Sequence, residues 1–192
     1  MKASNSTTPM NATSAAAVNR FVFDAASVIV QTSSPLDPRV APLLVELDAY
    51  LYRIYPVDEF PPEINHILDP QALTHPSVTF IAAWEAGENG EAIGCGAMRR
   101  MIDEVGTYGE IKRMFVKPEA RGHRIAEKIL NHLDAVARSE GITRLLLESG
   151  VRQPEALRLY ERCGYSVRGS FGGYAQGFVS VFMEKPLMEK VL

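Results

Sequence analysis

The chain has 192 residues, 46% of them hydrophobic and 22% charged, with a formal net charge of −3 at pH 7. That composition suits one globular domain with a sizeable core, and the slight acidity argues against wholesale binding to nucleic acid or to an anionic membrane. Two cysteines, Cys95 and Cys163, lie far apart and outside any metal-ligand spacing, which excludes a disulfide framework and points to a reducing, cytoplasmic setting.

Residues 1–24, biased toward Ser, Thr, Asn and Ala, read as a disordered leader, and 25–192 as a single domain. No stretch is apolar for the ~20 residues that a membrane helix needs. A first strand is expected at 27–33, where β-branched residues are bounded by polar ones. Asp37 then caps a helix with Pro38 at its first position, and Val40, Leu43, Leu44, Leu47, Leu51 and Ile54 form its apolar stripe up to Pro56. The proline-punctuated stretch that follows has room for a short helix near 63–68. Strands are expected at 77–86, 91–101 and 107–116, with GENG turning between the first two. A long helix at about 122–140, closed by Gly141, leads to a buried strand at 143–149. A short helix in QPEALRLYERCG, closed by Gly164, and strands in YSVRGS and SVFMEKPL complete the chain. A meander followed by βαβ crossovers implies an α/β fold of α+β type, with a mixed sheet and helices on both faces.

The segment VKPEARGHRIAEKIL (116–130) crowds Arg121, His123 and Arg124 at the N-terminal end of an amphipathic helix, where the helix dipole disfavours cations. Two readings fit these residues. Backbone N–H groups, with Gly122 allowing close approach, can cradle a phosphate while arginines add charge-assisted bonds, or the run is a solvated basic turn. A P-loop pattern is absent. GCGAMR (94–99) starts like a dinucleotide fingerprint but lacks the last glycine and sits within a strand.

From about 27 to 187 the chain resembles the GNAT superfamily of acyl-CoA-dependent N-acyltransferases. MFVKPEARGHRIA matches its strand, proline and Arg/Gln-x-x-Gly-x-Gly/Ala loop opening a helix, and QPEALRLYERCGY matches its Asn-x-x-Ala-x-x-Leu-Tyr helix followed by Gly-Tyr. Arg124 stands in place of the middle glycine and Gln153 in place of the asparagine. The resemblance implies a GNAT-like, largely antiparallel sheet of about seven strands and favours the phosphate cradle. Arg121, Gly122, His123, Arg124, Ile125 and Ala126 would hold the coenzyme A pyrophosphate, Gln153 would contact the coenzyme, and backbone N–H groups of Met114, Phe115 and Val116 would serve the pantetheine and the oxyanion.

It also implies acetyl-CoA as cosubstrate without a metal, the primary amine of a small-molecule or amino-acid-like acceptor attacked directly in a ternary complex, and neither nucleic acid nor membrane as partner. A homodimer is compatible with it. A protein amine is the alternative acceptor, and a non-catalytic acyl-CoA-binding module the alternative function.

An amine of pKa ~10.4 is only about one part in a thousand neutral at pH 7, so a base, or a water chain leading to one, is useful. Glu110, where relatives often hold a glutamate base, is the first candidate and Glu148 the second. Either can instead be a strand-end carboxylate, solvated or paired with Lys112 or Arg144. In EIKRMFV (110–116) alternation fails at Lys112 and Arg113, which suggests a β-bulge that frees backbone groups. Tyr160 matches the family's thiolate-protonating tyrosine; its plainer role is a core aromatic beside Leu157 and Leu159. His66, His75, His123 and His132 form no metal cluster, Cys163 reads as a packed residue and Trp84 as core. The acceptor pocket is expected from 50–76 and 170–178. There Asp58, Glu59 and Glu63 could attract a cation, Arg53, Arg99 and Arg100 could hold a carboxylate, and Tyr174 sits on a loop able to close.

Overall fold

The sheet is built on the strand Val78–Trp84, whose buried run alternates between two cores because both of its faces are covered. In the computed structural model, which describes residues 27–56, 69–87, 90–174 and 178–187, the strands are β1 (Ile29–Thr32), β2 (Val78–Trp84), β3 (Ala92–Asp103), β4 (Gly106–Val116), β5 (Arg144–Gly150), β6 (Ser166–Arg168) and β7 (Ser180–Pro186). Their spatial order is β1-β2-β3-β4-β5-β7-β6, and β4 and β5 form the one parallel pair. The helices are α1 (Ala41–Ile54), α2 (Ile125–Ser139) and α3 (Pro154–Arg162), with short 3₁₀ turns at Pro70–Thr74 and Pro118–Ala120. This is the mixed, mainly antiparallel seven-stranded sheet that the resemblance implied.

On β2, Phe80, Ala82 and Trp84 join the core under α1, whereas Ile81 and Ala83 join the core under α2. α2 contributes Ile125, Ile129, Leu130, Leu133 and Ala137, all buried, so the three- and four-residue spacing does become one packed face. A third cluster, Tyr108, Leu146, Phe171 and Phe182, sits where β4, β5 and β7 meet the 170–174 loop. The glycines of GCGAMR serve packing. A Cβ on Gly96 would lie 2.4 Å from the Met114 sulfur and 2.8 Å from Ile129.

Several boundaries move for local reasons. α1 begins at Ala41 with Val40 as its N-cap and no side-chain cap. Asp37 caps something else: its Oδ1 accepts from the Arg39 N–H at 2.8 Å, closing the turn ahead of the helix. α2 starts at Ile125 rather than near 122, because Gly122 (φ 84°) and Arg124 (φ 59°) hold the chain out of the helical region. The first strand is shorter than expected, at four residues. The leader at 1–24, the short helix at 63–68, the tip of GENG and Asp58, Glu59, Glu63 and His66 lie outside the described residues. Among the described residues no helix is long and apolar enough to cross a membrane.

Candidate active site

β4 and β5 pair only at Gly109, Glu110 and Ile111, opposite Leu145, Leu146 and Leu147. Beyond that both strands run on apart, β4 to Val116 and β5 to Gly150. The cause lies in β4. Cys95 faces Phe115 but Ala97 faces Lys112, so Arg113 and Met114 together oppose Gly96. This is the bulge that the broken alternation suggested. Arg113 has φ 56°, a left-handed conformation uncommon for a side-chain-bearing residue, and it is held there from both sides. Its guanidinium turns into the core to Asp48 of α1 at 2.6 Å, and its carbonyl accepts from the Cys95 thiol at 3.5 Å. Burial pushes that thiol up to about 12, so it stays protonated and able to donate.

Past the bulge, the Lys117 N–H donates to Ile93 O at 2.9 Å. By the alternation of an antiparallel ladder, Phe115 then points its main chain at β3, while Met114 and Val116 turn theirs toward the gap. Of the three backbone donors expected at 114–116, the fold brings two to the groove. Phe115 supplies wall, and its ring fills the core under α1.

The gap holds two cavities that meet at Leu47, Met114, Gln153 and Tyr160. The larger, about 420 Å³, runs from Phe115 and Val116 over Arg121 to Glu127 and along Ala156 and Leu159 of α3. It fits an extended, phosphate-bearing ligand such as coenzyme A. Gly122 has open space where a Cβ would stand, and the N–H groups of Ile125, Ala126 and Glu127 lack intrahelical acceptors, since the first such bond is from Lys128 to Arg124 O. Arg124 adopts the left-handed conformation that a glycine takes without strain, which accounts for the glycine in the pattern. Its side chain lies out on the rim, paired with Glu127 at 2.7 Å. The Arg121 Nε donates to Val116 O at 3.1 Å, folding that arginine over the end of β4. His123 belongs to the same turn.

The smaller cavity, about 120 Å³, is a polar chamber lined by Lys112, Arg113, Glu148, Ser149, Tyr55 and Tyr174, among others. Glu148 is half-buried on its wall near the end of β5. Glu110 lies within β4 rather than at its start, and its side chain is only 5% exposed. Its carboxylate accepts from the Lys112 ammonium at 2.8 Å and from the Tyr174 hydroxyl at 2.5 Å, while Lys112 also donates to Tyr174 at 2.6 Å. Burial and the Glu110 carboxylate push the Tyr174 phenol well above its ordinary value, so it donates. Arg144, the other partner considered for Glu110, pairs with Asp103.

Tyr160 projects from α3 to the junction of the two cavities and also packs edge-on against Tyr165, with ring centroids 5.7 Å apart. Burial raises its phenol strongly, so the hydroxyl keeps its proton. The Gln153 side-chain oxygen accepts from the Gly150 N–H at 3.0 Å, fixing the β5–α3 corner that forms part of both cavity walls. Tyr55 closes the far end: its hydroxyl accepts from the Arg152 N–H at 2.8 Å, tying the end of α1 to that corner. Sequence reasoning missed Tyr55, Ser149 and Asp48. The contacts of Tyr55 and Asp48 span long stretches of chain, and although Ser149 reaches only to Gln153, no local pattern marks any of the three. Among the described residues no group of three or more His, Cys, Asp or Glu could hold a metal.

Residues 44–165 match the model of the Acetyltransferase (GNAT) family. The chain belongs to this family. An "IAA acetyltransferase" of Azospirillum brasilense is 44% identical over 161 residues, spanning 84% of this chain and 99% of that one. Among solved structures, a Klebsiella pneumoniae protein described as an acyl-CoA N-acyltransferase is 34% identical, covers 86% of this chain and 100% of its own, and superposes with a TM-score of 0.66. An aminoglycoside 6'-N-acetyltransferase complexed with coenzyme A shares the fold at 15% identity, with a TM-score of 0.60 and coverage of 84% and 98%. The protein is therefore a GNAT acetyltransferase, and the β4–β5 gap is its candidate transfer site.

Proposed function

We propose that this protein transfers an acetyl group from acetyl-CoA to the primary amine of a small-molecule acceptor, by direct attack within a ternary complex. The observation that carries the reading is the junction of the two cavities at Met114, Gln153 and Tyr160, where an anion-cradling groove opens into a small polar chamber. A chamber of about 120 Å³ suits a small molecule better than a peptide.

The coenzyme supplies an activated thioester and a thiol leaving group of pKa near ~8.5. The chain supplies the rest. Main-chain N–H groups of Met114 and Val116 offer donors to the carbonyl oxygen as it gains charge. Glu148 removes the proton of the attacking amine. We assign it that role in preference to Glu110, whose carboxylate already carries two donors and positions Lys112 and Tyr174. Tyr160, protonated at neutral pH, serves the departing sulfur. Both cysteines are free thiols, which suits a reducing compartment, and we read the protein as cytoplasmic.

Acetyl-CoA with a panel of small primary amines tests the reading. Thiol release that depends on the amine, matched one for one by N-acetylated product in the mass spectrum, is expected. Thiol release without acetylated amine, or transfer to lysine peptides but to no small amine, would overturn it.

A further inference from the structure

We propose that the acceptor is zwitterionic, carrying a carboxylate as well as the reacting amine, and that Arg99 is the residue that holds the carboxylate. The inference rests on the transfer reading above and names the substrate class for that same site.

On the acceptor face of the sheet, Arg99 of β3 stands directly opposite Glu110 of β4. Facing side chains on neighbouring strands are close enough to pair, so Glu110 is the natural counter-ion of Arg99. That carboxylate is taken: Lys112 and Tyr174 hold it at 2.8 and 2.5 Å. Among the described residues no carboxylate lies within ion-pair distance of Arg99. The neighbouring Arg100, on the opposite face, reaches Glu140.

Arg99 lines a separate cavity of about 140 Å³, with Leu73, Val78 and Ala97 as apolar wall and His75 and Lys112 as further polar groups. The His75 Nδ1 accepts from the Ser77 N–H at 3.2 Å, so the neutral ring carries its proton on Nε2 and has a donor to offer. Lys112 lines this cavity and the transfer chamber alike, which makes the two neighbours across one side chain.

Charge bookkeeping on this wall points the same way. Arg113 is balanced by Asp48, and Lys112 by Glu110. That leaves Arg99 facing the apolar pocket with no carboxylate among the described residues in reach. A carboxylate on the acceptor complements this half-buried arginine, whereas a plain amine brings it no anion. Arg99 is level with Glu110 and Leu146, and Glu148 lies two residues further along β5, so Arg99 and Glu148 stand roughly 12 Å apart at the backbone and the test varies the spacing between amine and carboxylate.

The test compares acceptors in pairs. α-Amino acids, and ω-amino acids from β-alanine to 6-aminohexanoate, are each set against their own carboxamides with saturating acetyl-CoA. For the preferred acceptor, the carboxylate form is expected to exceed its carboxamide in kcat/KM by about 10- to 100-fold, the size of one charge-assisted hydrogen bond. Arg99→Gln should bring that ratio close to one through the acceptor KM, and Arg99→Lys should keep part of it. Thermal protection by acetyl-CoA checks that both variants fold. Carboxamides acetylated as well as carboxylates, or a ratio unchanged in Arg99→Gln, would overturn the inference while leaving amine acetylation standing. No turnover with any amine would remove the transfer reading and this inference with it.

Discussion

Replacing Glu148 by glutamine is expected to lower kcat by about 10²–10⁴-fold at neutral pH, the range in which a positioned acid or base acts. The substitution keeps size and hydrogen-bonding capacity but removes the proton acceptor. Coenzyme affinity should therefore hold, and the loss should fall on turnover. The deficit should also shrink as pH rises toward the pKa of the acceptor amine, because solvent then supplies the neutral nucleophile. Glu110→Gln makes the informative contrast. It removes the counter-charge of Lys112, whose side chain is 14% exposed, and leaves one neutral amide oxygen to accept from Lys112 and Tyr174. Its expected signature is a raised acceptor KM as that wall loosens, with a smaller loss in kcat. Stopped or steady-state kinetics of both variants across pH decide between them. A nearly active Glu148→Gln beside an inactive Glu110→Gln would return the base to β4.

The second large effect is on stability. Asp48→Ala leaves the Arg113 guanidinium, 5% exposed, without its counter-charge, and the Nε of that arginine already lacks a hydrogen-bond partner. Breaking a buried pair from one side typically costs 3–5 kcal/mol. Asp48 is 26% exposed, so water can reach part of the site, and about 3 kcal/mol is expected. For a domain of this size that corresponds to a fall in Tm of roughly 6–12 °C. Acetyl-CoA binding should weaken too, since the pair holds the bulge that opens the groove. A double change to Asp48→Leu and Arg113→Met should recover much of the stability by removing both charges. Urea unfolding measures this directly. A loss below about 1 kcal/mol would mean that the pair does little for the bulge.

What could be read without a structure was whatever depends on local repetition or on a break in it. The stripe of α2, the alternating strands and the bulge at Lys112 and Arg113 all leave a trace within a few residues. The site's chemistry was legible in its parts but not in its pairings. Glu110 could be named, yet nothing near it said that Tyr174, 64 residues on, would donate to it. Arg113 broke the strand pattern, but its partner Asp48 lies 65 residues earlier, on a helix that read only as an apolar stripe. Arg124 looked like a departure from a motif. The reason for the usual glycine emerged only with its φ of 59°. The misplaced cap at Asp37 has a simple physical source: an Asp can close a turn just before a helix as readily as it caps the helix itself.

Hydrogen exchange with and without acetyl-CoA tests most directly whether the gap between β4 and β5 is the transfer site. Slowed exchange is expected at Met114 and Val116 and at the amides of Ile125, Ala126 and Glu127, which lack intrahelical acceptors and line the groove. The β6–β7 edge, with its own open cavity beside Val167, Phe178 and Val181, should be unchanged. Protection centred on that edge, or absent from both the bulge and the start of α2, would contradict the account.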